Sequence, residues 1–203
     1  MNKKIFIGEW NFSVVVTYFG LFSAVYGLCM ILEGLLNYAL VCLIISGLCD
    51  LVDGAVARKC KRSDTEKLFG VQIDSLVDVV SFLCLPVVII LKIKISYLIL
   101  FVCAFYFICG VARLAHFNIS SEIDVIKGFY QGLPVTSISF LLPICYVVIN
   151  IFNFYEYACV FLMFIMGFLF VLNIPVKKPS KQAIPLFFVI AFYFIYVLLW
   201  VVK

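Results

Sequence analysis

The sequence predicts an all-helical integral membrane protein, a polytopic bundle of six to eight transmembrane helices. Hydrophobic residues make up 66% of the 203-residue chain, against about 45–50% in soluble domains. The mean hydropathy is +1.22. Several apolar runs reach the roughly 20 residues that cross a bilayer as a helix. Runs such as LPVVIILKIKISYLILFVCAFYF are almost continuously apolar. They lack the alternation of a transmembrane strand, so helices are favoured.

Seven apolar runs predict one helix each: 11–32, 34–56, 68–91, 95–117, 135–152, 155–172 and 183–202. An eighth helix would require a re-entrant turn inside one of these runs. Lys3 and Lys4 precede the first run, as in a signal peptide. That run is longer than the roughly 7–15 apolar residues of such a segment, and no small-residue cleavage site follows it. The chain has no evident linker, so we expect a single membrane domain over residues 1–203.

Lysine and arginine are distributed unevenly between the two sides of the predicted bundle. With the N-terminus in the cytoplasm, ten of these residues fall inside: Lys3, Lys4, Lys59, Lys61, Arg62, Lys67, Lys127, Lys177, Lys178 and Lys181. Three fall outside, namely Lys92, Lys94 and Lys203, while Arg58 and Arg113 end helices. Cytoplasmic loops carry an excess of such residues. We therefore expect a multi-pass protein of the cell membrane with a cytoplasmic N-terminus. Its basic face suits anionic lipid, and we expect no nucleic acid among its partners.

One polar stretch interrupts the apolar pattern: residues 49–82 hold eleven of the chain's 26 Asp, Glu, Lys and Arg residues. Asp50 and Asp53 are three residues apart, and Asp74 and Asp78 are four apart, so each pair shares one face of a helix. A short basic connector joins the two helices. We therefore expect an antiparallel hairpin in which the two pairs of carboxylates can face each other. Ionisable residues in membrane spans usually mark a site or a pathway.

Four carboxylates at membrane depth would repel one another and lose hydration. One or two hard divalent cations would relieve both effects, and carboxylate oxygens suit Mg²⁺ or Mn²⁺. Gly54, Ala57 and Gly70 keep the helices slim enough for a nucleotide to approach, and Arg58 suits a phosphate. The alternative is a solvated hairpin whose aspartates only cap helices. Aspartates that only cap helices would not need to occur as two pairs, three and four residues apart, with each pair surrounded by Val, Leu and Ile.

These positions resemble the signature of the CDP-alcohol phosphatidyltransferase family: Asp, two residues, Asp-Gly, two residues, Ala-Arg, a spacer, Gly, three residues, Asp, three residues, Asp. All eight fixed positions are filled, by Asp50, Asp53, Gly54, Ala57, Arg58, Gly70, Asp74 and Asp78. The spacer after Arg58 has eleven residues, longer than is common in the family. Its polar composition is typical of a longer turn, which costs little in loop closure.

The resemblance implies a helix bundle with its active site at the cytoplasmic end. It implies an enzyme that transfers the phosphatidyl group of CDP-diacylglycerol to an alcohol and releases CMP. Two divalent metal ions, Mg²⁺ or Mn²⁺, would be bound by Asp50, Asp53, Asp74 and Asp78, with Asp78 also the general base. CDP would be bound by Asp50, Gly54, Ala57, Arg58 and Gly70. Family members are often homodimers, so the resemblance also implies a homodimer.

Further segments favour L-serine as the alcohol. IDSLVDVVSF, VARLAHFN, the GLP of QGLPVTSIS, and PVKKPSK resemble segments of phosphatidylserine synthases, over roughly residues 35–181. Arg113 and Asn118 are the predicted acceptor-binding residues, since an arginine can bind the serine carboxylate bidentately. The alternative for Arg113 is a cation that snorkels to the interface. His116 is predicted to be a side chain at the membrane interface that has no catalytic role.

Two other functions fit parts of the pattern. Glycerol-3-phosphate as acceptor would need several cations near its phosphate, and beyond Arg58 the main candidate within the spans is Arg113. A divalent-cation transporter would need polar residues along whole helices. Here they cluster at one membrane face, and the apolar segment 83–91 offers a cation no path. The sequence leaves open the acyl-chain preference and the choice between Mg²⁺ and Mn²⁺.

The charge distribution predicts that the loop of residues 59–67 faces the cytoplasm. In a variant that keeps Cys60 and has the other eight cysteines replaced, a membrane-impermeant maleimide should label Cys60 only after the cells are opened. The matched control carries Lys94→Cys in place of Cys60, on the predicted outer side, and should be labelled in intact cells. Labelling of Cys60 in intact cells would reverse the predicted topology.

Overall fold

The computed structural model describes residues 8–57, 60, 62–122, 129–152, 157–177 and 184–202. Within these ranges the chain folds into seven apolar helices and one two-stranded ribbon. The helices are α1 (Phe12–Leu32), α2 (Leu36–Ala57), α3 (Asp64–Asp78) continuing into α4 (Leu85–Ile93), α5 (Tyr97–Glu122), α6 (Ile138–Phe152), α7 (Tyr157–Val171) and α8 (Ile184–Trp200). Each predicted span coincides with one of these helices, which confirms the predicted all-helical membrane bundle.

Four of the helices are long and apolar enough to cross a bilayer: Val14–Leu32, Leu36–Ala57, Asp64–Ile93 and Tyr97–Ile119. The others are shorter but equally apolar. Large apolar side chains also cover the outside of the bundle, among them Phe22, Phe101, Phe192 and Trp200. Contiguous exposed apolar surface of this kind is rare in soluble monomers. It is the surface that lipid tails contact in a multi-pass membrane protein.

Helix ends are set by local hydrogen bonds that hydropathy alone does not show. α3 begins in a capping box: the Ser63 hydroxyl accepts from the Glu66 backbone N–H at 3.3 Å, and the Glu66 carboxylate accepts from the Ser63 N–H at 2.8 Å. This helix therefore starts at Asp64 rather than at residue 68, where the apolar run begins. α5 likewise continues to Glu122 rather than ending at 117.

Small residues allow α1 to pack closely on α2. A Cβ added at Gly20 would lie 3.1 Å from the Cys49 Cβ, and one added at Gly27 would lie 2.9 Å from the Cys42 Cβ. Between these contacts the Ser23 hydroxyl donates to the Cys42 carbonyl at 3.0 Å. Small residues and hydroxyl bonds replace the missing hydrophobic driving force between helices in lipid. The close packing fixes the side of α2 that carries Asp53 against α1.

A short antiparallel ribbon, not predicted from the sequence, joins the two polar connectors. Its strands are β1 (Phe129–Gln131) and β2 (Pro175–Lys177). After β1, Gly132 has φ +75° and its N–H donates to the Ile174 carbonyl at 3.0 Å. The next N–H, of Leu133, donates to the Leu169 carbonyl at the end of α7. These bonds hold the following 3₁₀ turn, Val135–Ser137, near the ends of α2 and α5.

Candidate active site

Three aspartates converge where α2, about two turns before its end, faces the last turn of α3. Asp50, Asp74 and Asp78 each present a carboxylate oxygen, and the three oxygens lie within 4.8 Å of one another. Asp78 is buried and the other two are half-buried. Like charges so close together, with little water between them, repel strongly. An all-carboxylate donor set suits a hard divalent cation, so these residues fit a metal ion.

Asp53 lies beside this cluster but makes a different contact. Its buried carboxylate accepts a hydrogen bond from the Thr17 hydroxyl of α1 at 2.8 Å. The three clustered oxygens do not include one from Asp53, although Asp53 and Asp74 line the same cavity. Thr17 was not among the predicted site residues. The available signal was a polar side chain in an otherwise apolar helix.

A cavity of about 240 Å³ opens on one side of the aspartates. Its lining includes all three small residues predicted near CDP, together with two aspartates, Thr17 and an arginine: Gly54, Ala57, Gly70, Asp53, Asp74, Thr17 and Arg62. A Cβ at Gly70 would lie 3.2 Å from Arg62 Nη1. The missing side chain thus leaves room for the guanidinium. From its sequence position, Arg62 is predicted only to contribute to membrane topology. Arg58, predicted to bind CDP, lies outside the described residues.

A smaller cavity of about 90 Å³ lies on the other side of the cluster. It is lined by Asp50, Asp74, Asp78, Arg113, Leu114, Phe117, Pro134, Val135 and Thr136. Arg113 is only 6% exposed, and its guanidinium carbon lies 5.2 Å from the centre of the Phe117 ring. Thr136 lines this cavity together with Asp50. Asp74 and Phe117 line both cavities, so the two meet at the aspartates.

The predicted acceptor residues are placed differently from one another. Arg113 lines the small cavity, but Asn118 is not among its lining residues. The Asn118 side-chain oxygen instead accepts a hydrogen bond from the Ser75 hydroxyl of α3 at 2.8 Å. His116 is exposed and lines a separate cavity of about 330 Å³ with Arg113 and Asn173. Thr136 was missed, because only the folded ribbon brings it to Asp50.

The sequence model of the CDP-alcohol phosphatidyltransferase family matches residues 10–202. The chain belongs to this family. The match extends from the start of α1 to the end of α8, and so includes every element that lines the two cavities. The family is one of phosphotransferase enzymes, and an aspartate cluster that fits a metal ion agrees with this membership.

Several curated proteins are similar to this chain. Archaetidylserine synthase of Methanothermobacter thermautotrophicus is 36% identical over 106 residues, 51% of this chain and 44% of that protein. CDP-diacylglycerol–serine O-phosphatidyltransferase of Saccharomyces cerevisiae is 36% identical over 115 residues, 52% of this chain and 40% of that protein. The enzyme of that name in Helicobacter pylori is 32% identical over 149 residues, 69% of this chain and 62% of that protein. The matches thus span between 40% and 62% of these relatives.

The carboxylate cluster predicts tight binding of Mn²⁺ that depends on Asp50. Asp50→Asn removes one charged ligand, so its dissociation constant for Mn²⁺, measured by calorimetry on protein in detergent, should rise at least tenfold, about 1.4 kcal/mol. Asp64→Asn is the matched control. Asp64 lies on α3 in an exposed pair with Lys67 at 2.8 Å, and its loss should leave Mn²⁺ affinity unchanged. Equal affinities in the two variants would contradict a metal site at the cluster.

Proposed function

We propose that this protein transfers the phosphatidyl group of CDP-diacylglycerol to L-serine, giving phosphatidylserine and CMP. The observation that carries the proposal is the meeting of two cavities at one aspartate cluster. One cavity has slim glycine-lined walls and an arginine, as a nucleotide diphosphate requires. The other is small and contains a buried arginine, as a short acceptor with a carboxylate requires. The names of the similar proteins, which refer to serine transfer, support the same acceptor.

On the donor side, the diphosphate of CDP-diacylglycerol would lie along Gly54, Ala57 and Gly70. A side chain at any of these positions would narrow the cavity they line. Arg62 reaches across Gly70 and supplies a cation on this wall, and a guanidinium can bind a phosphate through two parallel hydrogen bonds. Asp50 and Arg58 complete the proposed CDP-binding set.

Two divalent cations, Mg²⁺ or Mn²⁺, bound by Asp50, Asp53, Asp74 and Asp78, would neutralise the diphosphate and the departing CMP oxygen. The protein's own part is to hold these carboxylates in place before the substrates arrive. Thr17 does this for Asp53 through its hydroxyl, and Thr136 lies in the wall of the small cavity beside Asp50. Such preorganised groups lose little freedom when the reaction begins.

On the acceptor side, Arg113 would bind the serine carboxylate while Asp78 takes the proton of the serine hydroxyl. That oxygen then forms a bond to the phosphorus that carries diacylglycerol, and the bond from this phosphorus to the CMP oxygen breaks. Asp78 lines the small cavity but is not among the residues that line the donor cavity. Asp50 shares this placement, so the two cavities favour Asp78 and Asp50 over Asp53 and Asp74, and the family resemblance selects Asp78 of these two as the proposed base.

The structure offers less to the two alternative functions. Among the described residues that line the small cavity, Arg113 is the one cation, whereas the phosphate of glycerol-3-phosphate would need more. A cation transporter needs a polar path beyond the aspartates. Beyond Asp78 the helix instead buries apolar side chains, such as Phe82, Leu83 and Ile89.

In the proposed arrangement the aspartate end of the bundle faces the cytoplasm, the enzyme lies in the cell membrane, and two copies form a homodimer.

The test of the proposed function is an acceptor screen with purified protein and CDP-diacylglycerol. Radiolabelled serine should enter lipid in the presence of Mg²⁺ or Mn²⁺, and glycerol-3-phosphate should not. Asp78→Asn should lower serine transfer at least about 100-fold, since an amide cannot act as the base, while Asp64→Asn should retain it. Transfer to glycerol-3-phosphate alone would replace serine as the acceptor, and near-normal turnover by Asp78→Asn would remove Asp78 from its role.

The two cavities predict opposite effects for two arginine substitutions. Lysine keeps the charge but loses the planar pair of donors. Arg113→Lys should raise the KM for serine at least about tenfold and leave the KM for CDP-diacylglycerol nearly unchanged. Arg62→Lys should do the reverse. Both constants are measured for each variant in mixed detergent–lipid micelles. A parallel change of both constants in Arg113→Lys would mean that Arg113 is structural or binds the diphosphate.

A further inference from the structure

A π-helical turn, Val79–Cys84, follows Asp78 directly and joins α3 to α4. The Leu85 N–H donates to the Val80 carbonyl, five residues back instead of four. Pro86 provides a chemical reason for the irregular turn. It has no N–H, so the Phe82 carbonyl lacks the donor that an α-helix would supply four residues later. One π turn inserts an extra residue and rotates the helix before it by about 100° relative to the helix after it.

Tyr106 of α5 supplies the missing donor. Its side chain is completely buried, and its hydroxyl donates to the Phe82 carbonyl at 2.6 Å. The ring packs against Phe170 of α7, with 5.3 Å between ring centres. A carbonyl left without a donor in the apolar interior would be unfavourable. The Tyr106 hydroxyl therefore donates to the Phe82 carbonyl, which would accept from the N–H of residue 86 in a regular α-helix if that residue were not proline.

The same face of α5 contacts the helix of Asp78 at two further positions. Gly110, one turn beyond Tyr106, lies so close to Leu83 that a Cβ at Gly110 would overlap the leucine side chain. Arg113, one turn further, lines the small cavity with Asp78. Residues four and seven apart lie on one face of a helix. Two successive turns of α5 thus contact the π turn, and the third shares the small cavity with the residue that precedes it.

We propose that Tyr106 is a positioning residue for Asp78. By binding the Phe82 carbonyl, the hydroxyl holds the turn in its π form. The π form in turn sets the rotation at which α3 presents Asp74 and Asp78 to α2. Without the hydroxyl, the turn can relax, and the two carboxylates move relative to Asp50. Tyr106 itself touches no substrate in this proposal and acts through the helix backbone.

The first test is Tyr106→Phe, which removes only the hydroxyl. We expect kcat for phosphatidyl transfer to fall about 10- to 100-fold, as small misplacements of reacting groups do. KM for serine should stay within about twofold, since ground-state binding is kept. The dissociation constant for Mn²⁺, measured without substrate, should rise at least about fivefold because ligands are displaced. Tyr146→Phe, which removes a half-buried hydroxyl from α6, is the matched control and should change none of these values.

The second test separates positioning from stability. In Pro86→Ala/Tyr106→Phe, the new backbone N–H can bind the Phe82 carbonyl and close the turn as an α-helix. We expect this double variant to unfold at a higher temperature than Tyr106→Phe, yet to keep its low kcat and weak Mn²⁺ binding. If Tyr106→Phe does not fold, the double variant alone decides the question. Wild-type kcat and Mn²⁺ affinity in either variant would overturn the proposal.

The inference rests on the proposed function only where kcat is measured. Wild-type protein that transfers phosphatidyl to no acceptor would refute the proposed function. The Mn²⁺ dissociation constants of wild-type protein and Tyr106→Phe would still decide whether Tyr106 positions the carboxylates. The failure of one proposal can therefore be distinguished from the failure of the other.

Discussion

Repulsion among carboxylates that share a poorly hydrated site is the constraint on which the rest of the structure depends. Two like charges about 4 Å apart repel by about 4 kcal/mol at an effective dielectric constant near 20. In this protein three carboxylate oxygens lie within 4.8 Å of one another. An apolar bundle tolerates such a cluster when cations neutralise it and when neighbouring groups hold each carboxylate. Thr17 holds Asp53 through its hydroxyl, and Thr136 and Arg113 line the cavity beside the cluster, each from a different helix or turn.

The packing of the bundle can be understood from this requirement. α1 lies close against α2 through Gly20 and Gly27, and this brings the Thr17 hydroxyl to Asp53. α5 lies against the π turn that follows α3 through Tyr106 and Gly110, which brings Arg113 to the small cavity. Several of the interior side-chain hydrogen bonds of the described residues end at Asp53, at α3 or at the π turn that follows it. The rest of the bundle is apolar, and its helices pack around the aspartate cluster and its polar neighbours.

Local periodicity made much of this predictable. Apolar runs predicted seven helices, and spacings of three and four residues predicted that each aspartate pair shares a face. The misses have physical causes. The start of α3 depends on the Ser63 and Glu66 capping box, a polar signal that hydropathy does not register. The position of Arg62 beside Gly70 depends on the turn that precedes α3, and that of Thr136 depends on the ribbon of β1 and β2, whose strands are distant in sequence. The π turn before Pro86 and the hydrogen bond from Tyr106 to Phe82 became visible only in the fold.

The ribbon has a consequence for how such an enzyme can evolve. Pro134, Val135 and Thr136 form one wall of the small cavity. They are held in place by backbone bonds from Gly132 and Leu133 to the chain at the end of α7. The aspartates and the slim walls of the donor cavity belong to the hairpin of α2 and α3 instead. Substitutions in the tethered segment can therefore reshape the small cavity, the proposed site of the incoming alcohol, while the aspartate cluster keeps its sequence. Related proteins can thus come to use a different alcohol, and so make a different lipid head group, while they keep the same proposed reaction.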